Sequence, residues 1–325
     1  MAEGGTLTFA DPDGYTAAFS GARVNLTING AGEFKARLTR LKLRHLEIYR
    51  YYESLPRIAY ISLPPKPIFL SFPVGTVPLI FDGFALRNGD MVLHSRSERM
   101  HQRLSGECQW GLISLGPEQL ANYSKALIGQ PIPWSPASRI LRSPRAEVAI
   151  FQRLFGQACH LAETGQKLID RPEVATALEH DVLHAIIHCL AGNEADGNPE
   201  NGNPKNRNPN TRRHHAAVMV RFEEALNKRI DDKLTMPALC ADIGVPERTL
   251  RMCCAEFLGA SPMRYLLLQR LNKARSALRR ADPSTTSVAE VARNHQFLEL
   301  GRFAVTYRTT FGESPSVTLQ RNPRA

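Results

Sequence analysis

At 325 residues, with 43% hydrophobic and 22% charged side chains, the chain has the composition of an ordinary soluble protein long enough for two domains. No basic segment followed by an apolar run opens it, and no run of about 18 apolar residues occurs, so secretion and membrane spanning are not expected and the cytoplasm is the expected compartment. The net charge of +10 is uneven: residues 212–325 hold 19 Lys+Arg against 11 Asp+Glu, or +8 of the total, which points to a polyanion partner for the C-terminal third alone.

Residues Met1 to Tyr15 are small and acidic, with Asp11-Pro12-Asp13-Gly14 reading as a turn, and a loose start is expected. From about Phe34 the texture is that of short strands: Leu46–Tyr49, Ile58–Ile61, Ile68–Leu70, Leu79–Phe81, Met91–Leu93 and Trp110–Ile113 are β-branched, aromatic or large and apolar. Pro64-Pro65, Asp82-Gly83 and Asn88-Gly89-Asp90 break them, so this part reads as a small antiparallel barrel or sandwich. His94 and His101 lie among these strands without the H-x-H pair and following carboxylate that a metal-bearing barrel would need.

Two helical patterns follow. Val148, Phe151, Leu154, Phe155 and Ala158 share one face of the first, and Val174, Leu178, Val182, Ile186 and Leu190 one face of the second; such helices pack on the strands or pair with a second subunit. His180, His184 and His188 recur on the polar face of the second at i, i+4, i+8. An adjacent pair could chelate zinc or nickel, but the outer two are about 12 Å apart by helix rise, and a solvated stripe is the expected role. The six cysteines form no C-x-x-C pair and fall on apolar stripes, so buried reduced thiols are expected, with no metal and no cofactor.

The composition then changes. Residues 191–210 carry no large apolar side chain and repeat Asn-Pro, a stretch unable to bury a core. The expected organisation is an N-terminal domain over 1–190, a disordered linker over 191–212 and a helical C-terminal domain over 213–325, with the two bodies uncoupled. Val218, Phe222 and Leu226 begin a helix after the linker; Thr235 caps the next, and Ser287 with Glu290 forms a capping box further on.

One helix-turn-helix pattern is then written twice, over 238–259 and 289–312. In each copy a small residue (Cys240, Ala292) lets two helices approach, an apolar residue (Val245, Phe297) plugs the turn, and an i, i+4, i+8 stripe (Leu250, Cys254, Leu258; Phe303, Tyr307, Phe311) buries the second helix. Gly259 and Gly312 follow as left-handed stops, and Pro262 and Pro315 prevent continuation. Cys240 and Ala292 are 52 residues apart but Leu250 and Phe303 are 53 apart, so the second copy has one extra residue between its helices. The long helical pattern Pro262–Leu278 joins the copies as a strut.

Residues from about Ala217 to Arg321 resemble the DNA-binding domain of the AraC/XylS family of bacterial transcriptional regulators. The resemblance rests on Ser261-Pro262, Tyr265-Leu266, Arg270-Leu271, Ala274-Arg275 and Leu278, then on Val291-Ala292, Phe297, Phe303 and Phe311-Gly312-Glu313-Ser314-Pro315. Gln296 stands where the family usually has glycine, Cys240 for its alanine and Cys254 for its first-unit phenylalanine. Glu299-Leu300-Gly301-Arg302-Phe303-Ala304 with Ser314-Pro315-Ser316 also resembles the ethanolamine-utilisation regulators within the family. The resemblance implies an α+β architecture with an N-terminal cupin-like domain that holds a small effector. It also implies promoter DNA and RNA polymerase as partners, activation as the outcome, and a homodimer as an available state.

A recognition helix presents the face opposite its buried stripe. In the first unit that face carries Arg248, Thr249, Arg251 and Met252, and the arginines suit guanine O6 and N7. The second offers Leu300, Gly301, Arg302, Ala304 and Val305, with Arg302 its one strong donor, and Arg308 nearer the phosphates. Two other classes compete: a cupin-type enzyme fused to a DNA-targeting module, for which no nucleophile-base pair, metal motif or phosphate loop is present, and an effector-independent architectural DNA binder. A non-enzymatic regulator is the expected function.

Overall fold

The computed structural model describes residues 3–19, 21–132, 138–164, 166–192, 209–228 and 235–321. It is α+β, with antiparallel sheets in the N-terminal part and helices alone in the C-terminal part.

The sheet elements are β1 (Glu3–Phe9), β2 (Arg23–Ile28), β3 (Ala36–Lys42), β4 (Leu46–Glu53), β5 (Arg57–Ser62), β6 (Ile68–Pro73), β7 (Leu79–Phe81), β8 (Phe84–Leu86), β9 (Asp90–Leu93), β10 (Arg99–Leu104), β11 (Cys108–Leu115) and β12 (Arg139–Arg142). One sheet runs β1-β3-β4-β11-β6-β9-β12 and the other β2-β5-β10-β7-β8. The larger sheet is a middle layer. Its Leu46, Ile48, Ile68, Leu70 and Ile113 face α3 (Arg145–Thr164) and α5 (Pro172–Ala191), while Tyr49, Tyr51, Phe69 and Trp110 face the smaller sheet. Burial on both faces is why β4, β6 and β11 read as apolar runs rather than as alternation.

The expected loose start is instead ordered, because its aromatic residues are buried. β1 pairs with β3 from Glu3 against Lys42 to Phe9 against Ala36. Asp11 caps α1 (Pro12–Ala17) by accepting from the Gly14 amide at 2.7 Å, and Tyr15, fully buried, packs against Phe9, Phe19, Phe34 and Tyr51. Tyr15 and Trp110 donate to the buried carboxylate of Glu53 at 3.1 and 2.9 Å, which Arg57 grips with two donors at 2.7 and 2.8 Å. Burial alone would raise the Glu53 carboxyl; the Arg57 charge and hydrogen bonds outweigh it and hold the group below its usual range. Because removing either partner would strand a buried charge, the Glu53–Arg57 pair ties the β4–β5 hairpin to α1 and β11.

α2 (Pro117–Ile128), α3, α4 (Gln166–Ile169) and α5 precede residues 193–208, which hold most of the expected linker and lie outside the described residues. α6 (Pro209–Lys228) begins inside the stretch expected to be linker. Then come α7 (Met236–Ile243), α8 (Glu247–Leu258), α9 (Pro262–Arg280), α10 (Val288–Asn294), α11 (Leu300–Phe311) and α12 (Pro315–Gln320). Pro262 and Pro315 do more than stop the preceding helix: each opens the next, behind a serine N-cap, Ser261 accepting from Arg264 N and Ser314 from Val317 N.

The uncoupling expected from the linker is not what the folded chain shows: the smaller sheet lies against α6, α8 and α9. His101 on β10 meets Glu223 on α6 at 2.8 Å, and Tyr265 on α9 donates to the same carboxylate oxygen at 2.9 Å; all three are buried. The Asn272 amide brackets the end of β2, accepting from Ile28 N at 3.0 Å and donating to Ile28 O at 2.9 Å. Gly32 N donates to Phe311 O at 3.2 Å, the Arg212 guanidinium lies 3.5 Å from the centre of the Phe84 ring, and Arg99 pairs with Glu224. At Gly83, φ +82, a Cβ would sit 2.7 Å from Glu256 Cγ, so this turn lies tight against α8.

Candidate nucleic-acid interface

Each helix-turn-helix unit forms as its spacing predicts. Thr235 caps α7 through Ala238 N, and Ser287 caps α10 through Glu290 N at 3.1 Å. In the first unit Leu239, Ile243, Leu250, Cys253, Cys254, Phe257 and Leu258 are buried, and Val218 and Phe222 of α6 cover them. In the second, Phe297, Phe303, Tyr307 and Phe311 form a chain of rings with successive centroids 4.7, 5.5 and 4.8 Å apart. The Tyr307 hydroxyl donates to Thr318 of α12 at 2.8 Å, and Arg270 of α9 lies over Phe297.

The two turns solve the same backbone problem with different residues. Gly244 ends α7 at φ +72; at the matching place in the second unit Gln296 takes φ +63, a left-handed conformation that a side chain rarely adopts. The expected departure from the usual glycine is thus met by a side chain held at positive φ, one residue beyond the His295 cap of α10. Cys240, half-buried, and Cys254, fully buried, fit the places of the usual alanine and phenylalanine.

The expected DNA-facing residues fall on one exposed face of each recognition helix. Arg248, Arg251 and Met252 are exposed on α8, and Thr249 is half-buried. On α11, Gly301, Arg302, Ala304, Val305 and Arg308 are exposed, but Leu300 is half-buried against the core and leaves the set. Leu298, 74% exposed just before α11, and Val305, 67% exposed on it, are exposed large apolar side chains of the second unit. Arg251 is not free: Glu247, one turn earlier, accepts from its Nε at 2.7 Å and lies 2.6 Å from its Nη2. The i, i+4 spacing of Glu247 and Arg251 was the available signal for this pair. Exposed on both sides, the pair adds little stability and ties the guanidinium to Glu247 on the surface of α8.

Among the described residues the N-terminal part leaves the exposed faces of α8 and α11 uncovered and meets the two units at Glu256 and Phe311 instead. At that back surface burial pushes the Asp82 carboxyl up to about 7, even though the His101 amide donates to it at 2.8 Å. The histidine stripe stands on α5, with His180 and His184 exposed and His188 half-buried, ring centroids 6.2 and 4.4 Å apart. Among the described residues no group of three or more His, Cys, Asp or Glu is placed to hold a metal, and no helix is long and apolar enough to cross a membrane.

A family model described as a helix-turn-helix domain matches residues 239–321, the span from the first helix of the first unit to the end of α12. The chain is 41% identical over 98 residues to the probable thc operon regulatory protein of Rhodococcus erythropolis, covering 30% of each chain. It is 32% identical over 99 residues to XylDLEGF operon transcriptional activator 2 of Pseudomonas putida, covering 30% of this chain and 63% of that one. Residues 239–321 thus carry a helix-turn-helix domain similar to those of these operon regulators. These matches span less than two thirds of either relative. The solved structure of the AraC-like transcriptional activator CuxR aligns over 82% of this chain at 14% identity and a TM-score of 0.43, and ToxT from Vibrio cholerae over 94% at 9% and 0.29. Within the matched span Arg248, Arg251 and Arg302 are exposed, and α9 separates the two helix-turn-helix units.

Proposed function

We propose that this protein is a sequence-specific DNA-binding transcriptional regulator, an activator, that answers to a small effector through its N-terminal domain and acts on promoter DNA with RNA polymerase as a further partner. The observation that carries this reading is the pair of uncovered recognition faces, α8 and α11, set on one scaffold by α9. Arg248, Thr249, Arg251 and Met252 read base edges from the first unit; Arg302 does so from the second, where Leu298 and Val305 offer contact to thymine methyls; Arg308 holds phosphate. The first unit therefore contributes most of the hydrogen-bonded readout. In this reading residues 1–190 sense the effector and provide the surface of a homodimer, 191–212 connect, and 213–325 bind DNA. The test is selection of bound sequences from random duplex DNA with the full-length chain. A defined motif with a well-specified half and a degenerate half is expected, and recovery of no preferred sequence would leave only backbone binding and refute sequence-specific regulation.

A further inference from the structure

Arg251 differs from the other exposed arginines of the recognition helices in having its guanidinium already engaged. One carboxylate oxygen of Glu247, Oε1, accepts from Arg251 Nε at 2.7 Å and lies 2.6 Å from Nη2, so the Nε–Nη2 edge of the planar group is taken. The opposite edge, Nη1–Nη2, has no partner among the described residues. That edge carries the two parallel donors that fit guanine O6 and N7. Arg248 and Arg302 are also exposed, yet neither has a carboxylate within ion-pair distance among the described residues. The simpler roles of Glu247 do not account for this arrangement. It opens α8, but the N-cap is Pro246 and no side chain caps the helix. Its charge suits the helix dipole whether or not it meets Arg251. As an exposed pair the contact adds little stability, and a carboxylate on a face that approaches phosphates opposes binding by like charge.

We infer that Glu247 is a positioning residue for base recognition: it orders Arg251 before DNA arrives, leaves the Nη1–Nη2 edge for one guanine, and so sharpens the preference of the first unit at that base pair. The inference rests on the reading of α8 as a groove-reading helix. A long side chain already held in its bound geometry removes an ordering cost from association. The brace also acts against wrong sites. Adenine sets an amino donor beside its N7, which opposes the second guanidinium donor, and an Arg251 that turns instead to phosphate has to give up Glu247. The preferred site keeps the Glu247 contact and adds the guanine contact.

The experiment measures binding of the full-length protein to duplex DNA at one salt concentration, for wild type, Glu247→Ala, Arg251→Ala and the double variant. The duplexes are the preferred site selected from a random pool by the wild type, that site with each base pair substituted in turn, and an unselected random duplex. Glu247→Ala should lower the ratio of preferred to substituted affinity about tenfold at the same base pair where Arg251→Ala lowers it, and leave the other positions unchanged. It should also tighten binding to the random duplex about threefold, because a negative charge is removed. The double variant should show the same ratio as Arg251→Ala alone, since the brace then has nothing to hold. Equal weakening of Glu247→Ala on every duplex overturns the inference by reducing Glu247 to a stabiliser of α8. A changed preference at a different base pair, or ratios that multiply in the double variant, overturns it by making Glu247 an independent reader. Each of these results leaves the regulator reading standing, whereas a wild-type protein that selects no site refutes the proposed function and this inference with it.

Discussion

The buried His101–Glu223–Tyr265 cluster makes the contact between the two parts of the chain testable by a thermodynamic cycle. Glu223 accepts from His101 at 2.8 Å and from Tyr265 at 2.9 Å, and no member of the cluster is more than 2% exposed. Glu223→Ala leaves an imidazole and a phenol buried without their acceptor. At about 1 to 3 kcal/mol for each stranded group, the single variant should lose about 2 to 6 kcal/mol. His101→Ala removes one of these donors in advance, so the double variant should lose less than the sum of the singles. The coupling expected for a short, charge-assisted buried contact is about 1.5 to 3 kcal/mol. Replacing both residues with leucine should be milder than Glu223→Ala alone, since no polar group is then stranded there except the Tyr265 hydroxyl. The assay is scanning calorimetry of the four proteins of the cycle. Because His101 belongs to the sheet part and Glu223 to the helical part, the singles should also split one transition toward two. A coupling under about 0.5 kcal/mol would mean that the two side chains do not meet in solution, and the docked arrangement would be wrong.

Arg251→Ala should cost about 1 to 3 kcal/mol on the preferred DNA site and relax preference at one or two base pairs, whereas Arg308→Ala should weaken all sequences alike and flatten the salt slope by about one unit. An Arg251 variant that loses affinity equally on every sequence would reassign that arginine to the backbone. Asp82, raised from an ordinary carboxyl to about 7, favours folding most when protonated, so this contribution is full below about pH 4 and is lost as pH rises through about 7. Asp82→Asn should therefore flatten thermal stability across pH 4 to 7; an unchanged slope would show that the carboxyl is ionised throughout. Gln296→Gly should stabilise by up to about 1 kcal/mol in urea unfolding, since the left-handed turn costs a side chain about 1 to 2 kcal/mol and glycine's extra unfolded-state freedom returns part of that. A net loss would mean that the glutamine's own contacts outweigh the strain.

The helix-turn-helix units were legible because their burial pattern is local. Each stripe lies within one helix, each cap sits at its own N-terminus, and the exposed arginines follow from the position of Leu250 or Phe303. The strands buried on both faces, β4, β6 and β11, announced themselves as apolar runs. β10 did not: its sequence Arg99-Met100-His101-Gln102-Arg103-Leu104 looks like a solvated segment, because the groups that pair with its polar face come from α6 and from the β4–β5 hairpin. Nor was the contact between the two parts legible, since it joins residues as distant as Ile28 and Asn272, 244 positions apart. The Asn/Pro composition of residues 191–210 argued against a core within that stretch and was silent about whether its two ends come together.

The grip of the smaller sheet on both units bears on what the DNA must do. Asn272 fastens the strut to β2, Gly32 fastens the end of α11, and Gly83 abuts α8, so the two recognition helices keep one mutual orientation while this grip lasts. On the proposed reading α8 and α11 meet DNA at one fixed spacing, and a duplex whose grooves do not match that spacing has to bend to reach the second unit. The elastic work of that bend depends on the steps between the two contacted segments, about 1 to 6 kcal/mol for smooth curvature over a site of 20 to 30 base pairs. That reading makes the stiffness of base pairs that no side chain touches a determinant of affinity, with flexible pyrimidine–purine steps there expected to favour binding.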